Sequence, residues 1–365
     1  MSLRRIEATD AIARLGEFGA VIDARSECEF AEDHLPDAVN WPSLNDAERH
    51  AIGTEYKQVS PFEARKRGAV LVARNIARHI EREVMGLDRE WRPLIYCWRG
   101  GQRSGALATV LDQIGFSVSV LEGGYRSFRR AVIAELETRP ATLDLRVVCG
   151  RTGSGKSRLL QALAAQGAQV LDLEGLACHR GSVLGLMPGV QQPSQKAFET
   201  GLWSALRGFD PASPVFTEGE SRTIGRLRLP ERLLERIRAA PVLHVEMPLE
   251  ARVELLLADY AHFVHDVEAF CARLAGLREV RGAATVERWQ GLARAGELPA
   301  VVRELLVDHY DPIYQRSMRK NFAEFDRALP LPMADGEPPS LAGVTSFLLR
   351  RDDPRSGGER QGPHC

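Results

Sequence analysis

The chain is predicted to be α/β, in two unlike domains, the second of which carries a helical region. Two observations lead there. Short apolar runs alternate with stretches of helical period from end to end of the 365 residues. The alternation halts at "ETRPATLD" (137–144) and then restarts, and no internal repeat relates the two halves.

Taken in order, "GAVIDAR" reads as a strand ending in polar residues, and "PLIYC" (Pro93 to Cys97) as another. The glycine-rich loop that follows leads into "SGALATVLDQIG", a helix with Gly115 as its C-terminal stop. "FSVSVLEGG" returns as a strand. After the linker, "LRVVCG" is a strand, "KSRLLQALAAQG" a helix and "QVLDLEG" a strand, with further strands at "SPVFTE" and "APVLHVEMP". The expected domains are residues 1–138, residues 139–335 with a helical segment over about 250–310, and a C-terminal segment 336–365. The last of these ends in "RDDPRSGGERQGPHC", whose composition predicts disorder.

Hydrophobic residues make up 44% of the chain and charged residues 27%, so each half can bury a core. A net charge of −1 gives no global sign of nucleic acid, though a local basic patch fits inside a neutral total. The six cysteines lie far apart with no CxxC pair, which argues against a disulfide framework or zinc knuckle and for reduced thiols in cytoplasm. The N-terminus has no apolar segment after its arginines, and no run of about 18 apolar residues occurs, so neither secretion nor membrane spanning is expected. Oligomeric state is left open, a monomer being compatible with the composition.

The first chemical constellation is "YCWRGGQRSG". A strand ending in Cys97 and turning into a helix places the sulfur over backbone N–H groups that lack intrahelical partners. Arg99 and Arg103 add full charges, and Gly100 and Gly101 let the backbone curl round a tetrahedral anion. All of this favours thiolate, the nucleophilic form. The surrounding "VIDARSECEFAEDHLPDAVNWP" and "VLEGGYRSF" resemble the rhodanese domain, with Asp23, Arg25, Glu29, Phe30, His34, Pro36, Ala38, Asn40, Gly123 and Gly124 in register. Five residues separate Cys97 from Arg103, longer than the loop of many rhodaneses. Cysteine phosphatases and arsenate reductases share that spacing, so loop length leaves those chemistries open.

The second constellation is "GRTGSGKS", Gly150 to Ser157, a complete phosphate-binding loop between an apolar strand and an amphipathic helix. Gly153, Ser154, Gly155 and Lys156 would cradle a diphosphate, and Ser157 would meet Mg²⁺ if a metal binds. Asp172 and Glu218 are candidate acidic partners. The loop reads phosphate and not what hangs from it: ATP, GTP and an isoprenoid diphosphate all fit.

A third feature is the helical spacing of Arg74, Arg78 and Arg82, preceded by Arg65, Lys66 and Arg67. Tyr56, Trp98, Tyr125 and Phe128 are aromatics on which an RNA base could stack. The competing account of the arginines is a solvated face, since Glu81 and Glu83 are interleaved.

A rhodanese-like module followed by a phosphate-binding-loop module resembles the tRNA 2-selenouridine synthase family. The resemblance runs from about residue 20 to about residue 315, through "PSLNDAERHAIGTEYK", "LDLEGLACHRGS", "QPSQKAFE", "EGESRTIGR", "LPERLLERIRAAPV" and "DHYDPIYQRS". It implies a substrate tRNA with a 5-substituted 2-thiouridine at the wobble position and selenophosphate as selenium donor. Cys97 would be the selenium-carrying residue, and the family's S-geranylation would use geranyl diphosphate, with no tightly bound cofactor. Two rivals remain: a phosphatase- or arsenate-reductase-like domain coupled to a P-loop ATPase or kinase, and a non-enzymatic sulfur carrier or sensor.

Overall fold

The strands of the chain are apolar almost without interruption, as expected where both faces of a parallel sheet are covered by helices. In the computed structural model, which describes residues 3–99, 101–179, 190–259 and 266–351, they form two five-stranded sheets. The chain divides into two units, 1–138 with 193–204, and 139–192 with 205–365.

In the first unit β1 (Arg4–Ile6), β2 (Ala20–Asp23), β3 (Ala38–Asn40), β4 (Pro93–Tyr96) and β5 (Ser119–Leu121) lie in the order β1-β5-β4-β2-β3, all parallel. Ile22, Ile95 and Val120 of the sheet pack with Leu107 and Leu111 of helix Gln102–Ile114 and Ile76 of helix Pro61–His79. Gly115 ends the first of these helices at φ 117°, the left-handed stop its position predicted. The crossover direction reverses between β2 and β4, the point in an open parallel sheet where ligands are received. Cys97 follows β4 there.

In the second unit β6 (Leu145–Gly150), β7 (Gln169–Leu171), β8 (Val215–Glu218), β11 (Val242–Glu246) and β12 (Leu329–Pro332) lie in the order β12-β11-β6-β8-β7, again parallel. A small antiparallel pair, β9 (Thr223–Ile224) and β10 (Leu227–Arg228), stands apart from this sheet. Val148, Phe216 and Val245 of the sheet pack with Leu159 and Leu163 of helix Lys156–Ala165. A satellite cluster of Phe270, Leu274, Val286, Trp289 and Val301 fills the helical region.

Four differences from the sequence expectations have local causes. The strand at "QVLDLEG" stops at Leu171, because the Asp172 carboxylate accepts the Gly175 N–H at 2.7 Å and caps the short helix Leu173–Ala177. "LPLP" forms edge strand β12, where proline is tolerated because one side of the strand needs no donor. "ETRPATLD" is not an open linker: Arg139–Thr142 form a 3₁₀ turn, and Arg236 donates to the Pro140 and Leu143 carbonyls. Pro338–Arg351 is a helix that buries Leu341 and Leu348 in the second core, so the C-terminal segment is structured at least to Arg351. Of the tail expected to be disordered, 351–365, Arg351 ends that helix and 352–365 lie outside the described residues. Among the described residues no helix is long and apolar enough to cross a membrane.

The first unit is tied together beneath β2 and β4 by a fully buried ion pair. Arg25 donates twice to Asp23, at 2.6 Å to Oδ2 through its terminal nitrogen, and also to the Asp33 carbonyl at 2.6 Å. Its guanidinium lies 4.0 Å from the Tyr125 ring centroid, and Asn40 donates to the carbonyls of Asp23 and Arg25. Removing one partner of such a pair leaves an uncompensated buried charge. Asp23→Ala should therefore destabilise the first unit by about 3–5 kcal/mol in chemical denaturation, and a loss under about 1 kcal/mol would contradict this account.

Candidate functional site

β4 delivers Cys97 to the mouth of its loop, and the turn into helix Gln102–Ile114 brings donors onto the sulfur. The Ser104 hydroxyl donates to Sγ at 3.2 Å, and the backbone N–H groups of Ser104, Gly101 and Arg99 face it as well. Burial disfavours the thiolate, but these hydrogen bonds outweigh burial and bring the Cys97 thiol below its ordinary value. The side chain is only 3% exposed, so the sulfur lies at the floor of the loop.

The two loop arginines differ. Arg99 is exposed. Arg103 turns back to Glu29, donating at 2.7 Å, and Glu29 also meets Arg49 at 3.1 Å and caps its own helix at Ser26. The Arg103 charge is thus shared with a carboxylate already in place. Gly101 sits at the N-terminus of the helix, and Gly100 lies outside the described residues. Trp98 is half-buried and stacks on Tyr125, with centroids 5.4 Å apart.

Tyr125 and Phe128, read from the sequence as stacking platforms, are instead core residues, 2% and 0% exposed. The Tyr125 hydroxyl donates to Asp33 at 2.6 Å, and its backbone N–H to the Cys97 carbonyl at 2.8 Å, so it braces the loop from behind. Asp33 accepts from Thr200 at 3.0 Å, and Arg129 pairs with Glu199, which draws the "QPSQKAFE" segment into this unit. Burial raises the Asp33 carboxyl above its usual range despite those hydrogen bonds.

Arg74 and Arg78 are exposed on helix Pro61–His79. Arg82 is also exposed, but the helix widens into a π turn over Ile80–Val84. Arg82 is therefore displaced from the straight stripe its spacing predicted. Tyr56 and Phe62 are exposed nearby, with Arg65 5.9 Å from the first ring centroid and Lys66 5.0 Å from the second.

In the second unit β6 runs into the phosphate-binding loop. Gly153 and Gly155 adopt φ of 78° and 77°, and a Cβ on Gly153 would come within 2.8 Å of Leu256, so glycine is required there on both counts. The Lys156 ammonium donates to the Gly150 carbonyl at 2.8 Å and lies over the loop it would share with a diphosphate. Ser157 donates to Glu174 at 2.9 Å. Arg252, 1% exposed, donates to the Thr152 carbonyl at 2.9 Å and forks onto Asp311 at 2.6 and 2.9 Å. The back of the loop is thereby fixed to helix Asp311–Asn321.

A cavity of about 600 Å³ opens from this loop, within the usual range for small-molecule sites. Its lining is Gly150 and Thr152 to Arg158 with Asp172, Glu174 and Glu220, together with an apolar wall of Leu255, Leu256, Ile313, Met318 and Phe322, of which Leu255 and Leu256 lie against the loop glycines. Asp172 reaches the cavity while its carboxylate caps the helix after β7. Glu218 is not part of the lining: it is 1% exposed, accepts the Leu173 N–H at 3.0 Å, and is held well above the carboxylate range by burial and by Asp172. Its expected role as an acidic partner of the loop is corrected to a structural one. The carboxylates that sequence reasoning missed are Glu174 and Glu220. Burial, reinforced by Glu174 and opposed by Lys156, pushes Glu220 up to about 7. Strand alternation could not single out Glu220, since residues two apart share a face; β8 ends at Glu218, and the chain beyond it brings Glu220 to the cavity. Among the described residues no group of three metal-ligating side chains occurs.

Two family models match successive parts of the chain. Residues 7–131 match the rhodanese-like domain and residues 143–288 the tRNA 2-selenouridine synthase AAA domain. The chain is 34% identical over 355 residues to a tRNA 2-selenouridine synthase of Cronobacter sakazakii, covering 87% of this chain and 92% of that one. Against that of Marinobacter nauticus it is 32% identical over 335 residues, 83% and 89% of the two chains. Against that of Alcanivorax borkumensis it is 40% identical over 246 residues, 66% of each.

Ser104→Ala removes the hydroxyl that donates to Cys97. The pH at which a small alkylating reagent becomes half-maximally reactive toward Cys97 should lie below that of an ordinary thiol, about 8.5, and should move upward in the variant. An unchanged midpoint would show that Ser104 does not stabilise the thiolate.

Proposed function

This chain belongs to the tRNA 2-selenouridine synthase family, and from that premise we propose that it replaces the sulfur of a wobble 2-thiouridine by selenium in two steps, one in each unit. In the first, the thiouridine sulfur attacks C1 of geranyl diphosphate. The C–S bond forms, the C–O bond breaks, and pyrophosphate leaves into the P-loop, where Lys156 and the loop amides meet its charge. Alkylation turns a thiocarbonyl, a poor leaving group, into a thioether-like group on an electrophilic C2. In the second step, the selenium of selenophosphate, held by the Cys97 loop, attacks C2. The C2–S bond breaks, and geranyl thiolate leaves and takes up a proton. Water then cleaves the Se–P bond, releasing phosphate and leaving 2-selenouridine. The tetrahedral oxyanion suits the loop amides and Arg99, while the Cys97 thiolate holds or steers the selenium.

The observation that carries this reading is the second-unit cavity, which joins a diphosphate-binding loop to a hydrocarbon wall of Leu255, Leu256, Ile313, Met318 and Phe322. That pairing matches an isoprenoid diphosphate, charged at one end and apolar at the other. Ser157, beside Glu174, is the residue that would meet a Mg²⁺ arriving with the diphosphate, and such an ion would add to the neutralisation of the leaving group. tRNA is the expected macromolecular partner, with exposed Arg74, Arg78 and Arg82 as candidate phosphate-binding groups and the free face of Trp98 as a candidate surface for the extruded base.

The two steps should separate by mutation. Lys156→Ala should lower geranylation of thiolated tRNA by about 10²–10³-fold, whereas Cys97→Ser should abolish selenium incorporation and leave geranylation near the wild-type rate. Full geranylation by Lys156→Ala would remove the diphosphate from this loop, and normal selenation by Cys97→Ser would remove the thiol from the reaction. Replacing both Arg74 and Arg78 by Glu should weaken tRNA binding and lower its salt slope by about one unit for each phosphate left unneutralised. An unchanged slope would return these arginines to a solvated face.

A further inference from the structure

S-alkylation of a 2-thiouridine has a proton to dispose of. In the starting base N3 carries hydrogen beside the C2 thiocarbonyl. In the neutral S-alkylated product the C2–S bond is single and C2–N3 is double, so the N3 proton departs as the C–S bond forms. Without a base the alkylated ring is left cationic and more prone to give up the alkyl group again.

The second-unit cavity holds several carboxylates, and most are already committed. Asp172 caps the Gly175 N–H, Glu174 accepts from Ser157, and Asp259 accepts from Arg158 at 2.7 Å. Glu220 differs. It lines the cavity two residues beyond the end of β8, within electrostatic reach of Lys156. Its hydrogen bond comes from the Ser221 backbone N–H.

Resting on the reading that geranyl diphosphate occupies this cavity, we propose that the Glu220 carboxylate accepts the N3 proton of the thiouridine as its sulfur attacks the geranyl C1. One bond forms, C–S, and two break, C1–O and N3–H. Pyrophosphate leaves with the electron pair of the C1–O bond, and the proton passes to the Glu220 carboxylate, with no oxidant or reductant involved. The charged groups around Glu220 are Glu174, which raises its proton affinity, and Lys156, which lowers it, while Cys149 and Tyr314 are kept neutral by burial. A carboxyl raised to about 7 is near the point at which a base both is ionised at neutral pH and takes a proton well. The sign follows directly: the base form is populated above that value, so the rate should rise with pH through about 7.

The test is single-turnover geranylation of 2-thiouridine tRNA as a function of pH, alongside equilibrium binding of geranyl diphosphate, for the wild type, Glu220→Gln and Glu220→Asp. Glu220→Gln should bind geranyl diphosphate within about twofold of the wild type yet react about 10²–10³-fold more slowly. Its rise near neutrality should be replaced by one at higher pH, where N3–H ionises unaided. Glu220→Asp should recover part of the rate together with the limb near neutrality. A Glu220→Gln enzyme with wild-type rate and pH profile would overturn the proton-transfer role alone. Absence of geranyl diphosphate binding to the wild type would overturn the placement of the donor and this proposal with it.

Discussion

Everything in the two sites depends on what a parallel strand leaves behind when it turns directly into a helix. The first N–H groups of the helix have no intrahelical partner, and a tight loop aims them at one point beyond the strand end. After β4 that point is occupied by the Cys97 sulfur, which collects the amides of Arg99, Gly101 and Ser104. After β6 the same strand-to-helix turn forms the phosphate-binding loop, across which the Lys156 ammonium donates to the Gly150 carbonyl, and a cavity opens beside it. One piece of backbone geometry therefore favours a thiolate in one unit and shapes a phosphate-binding loop in the other.

A buried arginine paired with an aspartate lies behind each loop, touching the phosphate loop directly and the thiol loop through Tyr125. Arg25 and Asp23 sit below the thiol loop, with Tyr125 stacked over the guanidinium and bonded to the Cys97 carbonyl. Arg252 grips the Thr152 carbonyl with one nitrogen and Asp311 with the other two, so the phosphate loop and the apolar wall on helix Asp311–Asn321 form one assembly. Burying a guanidinium is costly unless its donors find partners; Arg252 finds one in the phosphate-loop backbone itself, whereas Arg25 bonds Asp23 and the Asp33 carbonyl and keeps one terminal nitrogen unpaired. At the phosphate loop, backbone shape and ion-pair geometry are thus the same constraint.

The strands of both sheets were legible because buried parallel strands are continuous apolar runs, and both anion loops because glycine, arginine and lysine sit at fixed offsets from a strand end. β12 was not legible, since "LPLP" lacks the pattern of a paired strand and works only at a sheet edge. The acidic lining was misjudged for a different reason. Glu218 ends β8 and Glu220 lies two residues beyond it, and sequence alone does not say where the strand stops; the structure buries Glu218 against the Leu173 N–H and turns Glu220 to the cavity. Tyr125 and Phe128 illustrate the same limit, because an aromatic in polar company looks exposed until the Asp33 and Thr200 hydrogen bonds that accompany its burial are seen. The apolar wall was also invisible in sequence, as its residues come from two helices about sixty positions apart that only tertiary packing brings together.

The central claim is that alkylation and chalcogen exchange are successive operations on one base. The most direct measurement is mass spectrometry of nucleosides from 2-thiouridine tRNA incubated with the protein, geranyl diphosphate and selenophosphate, omitting each donor in turn. The account predicts S-geranyl-2-thiouridine when selenophosphate is left out, 2-selenouridine when both donors are present, and unaltered 2-thiouridine when geranyl diphosphate is left out. Formation of 2-selenouridine without geranyl diphosphate, or untouched thiouridine with both donors supplied, would contradict it.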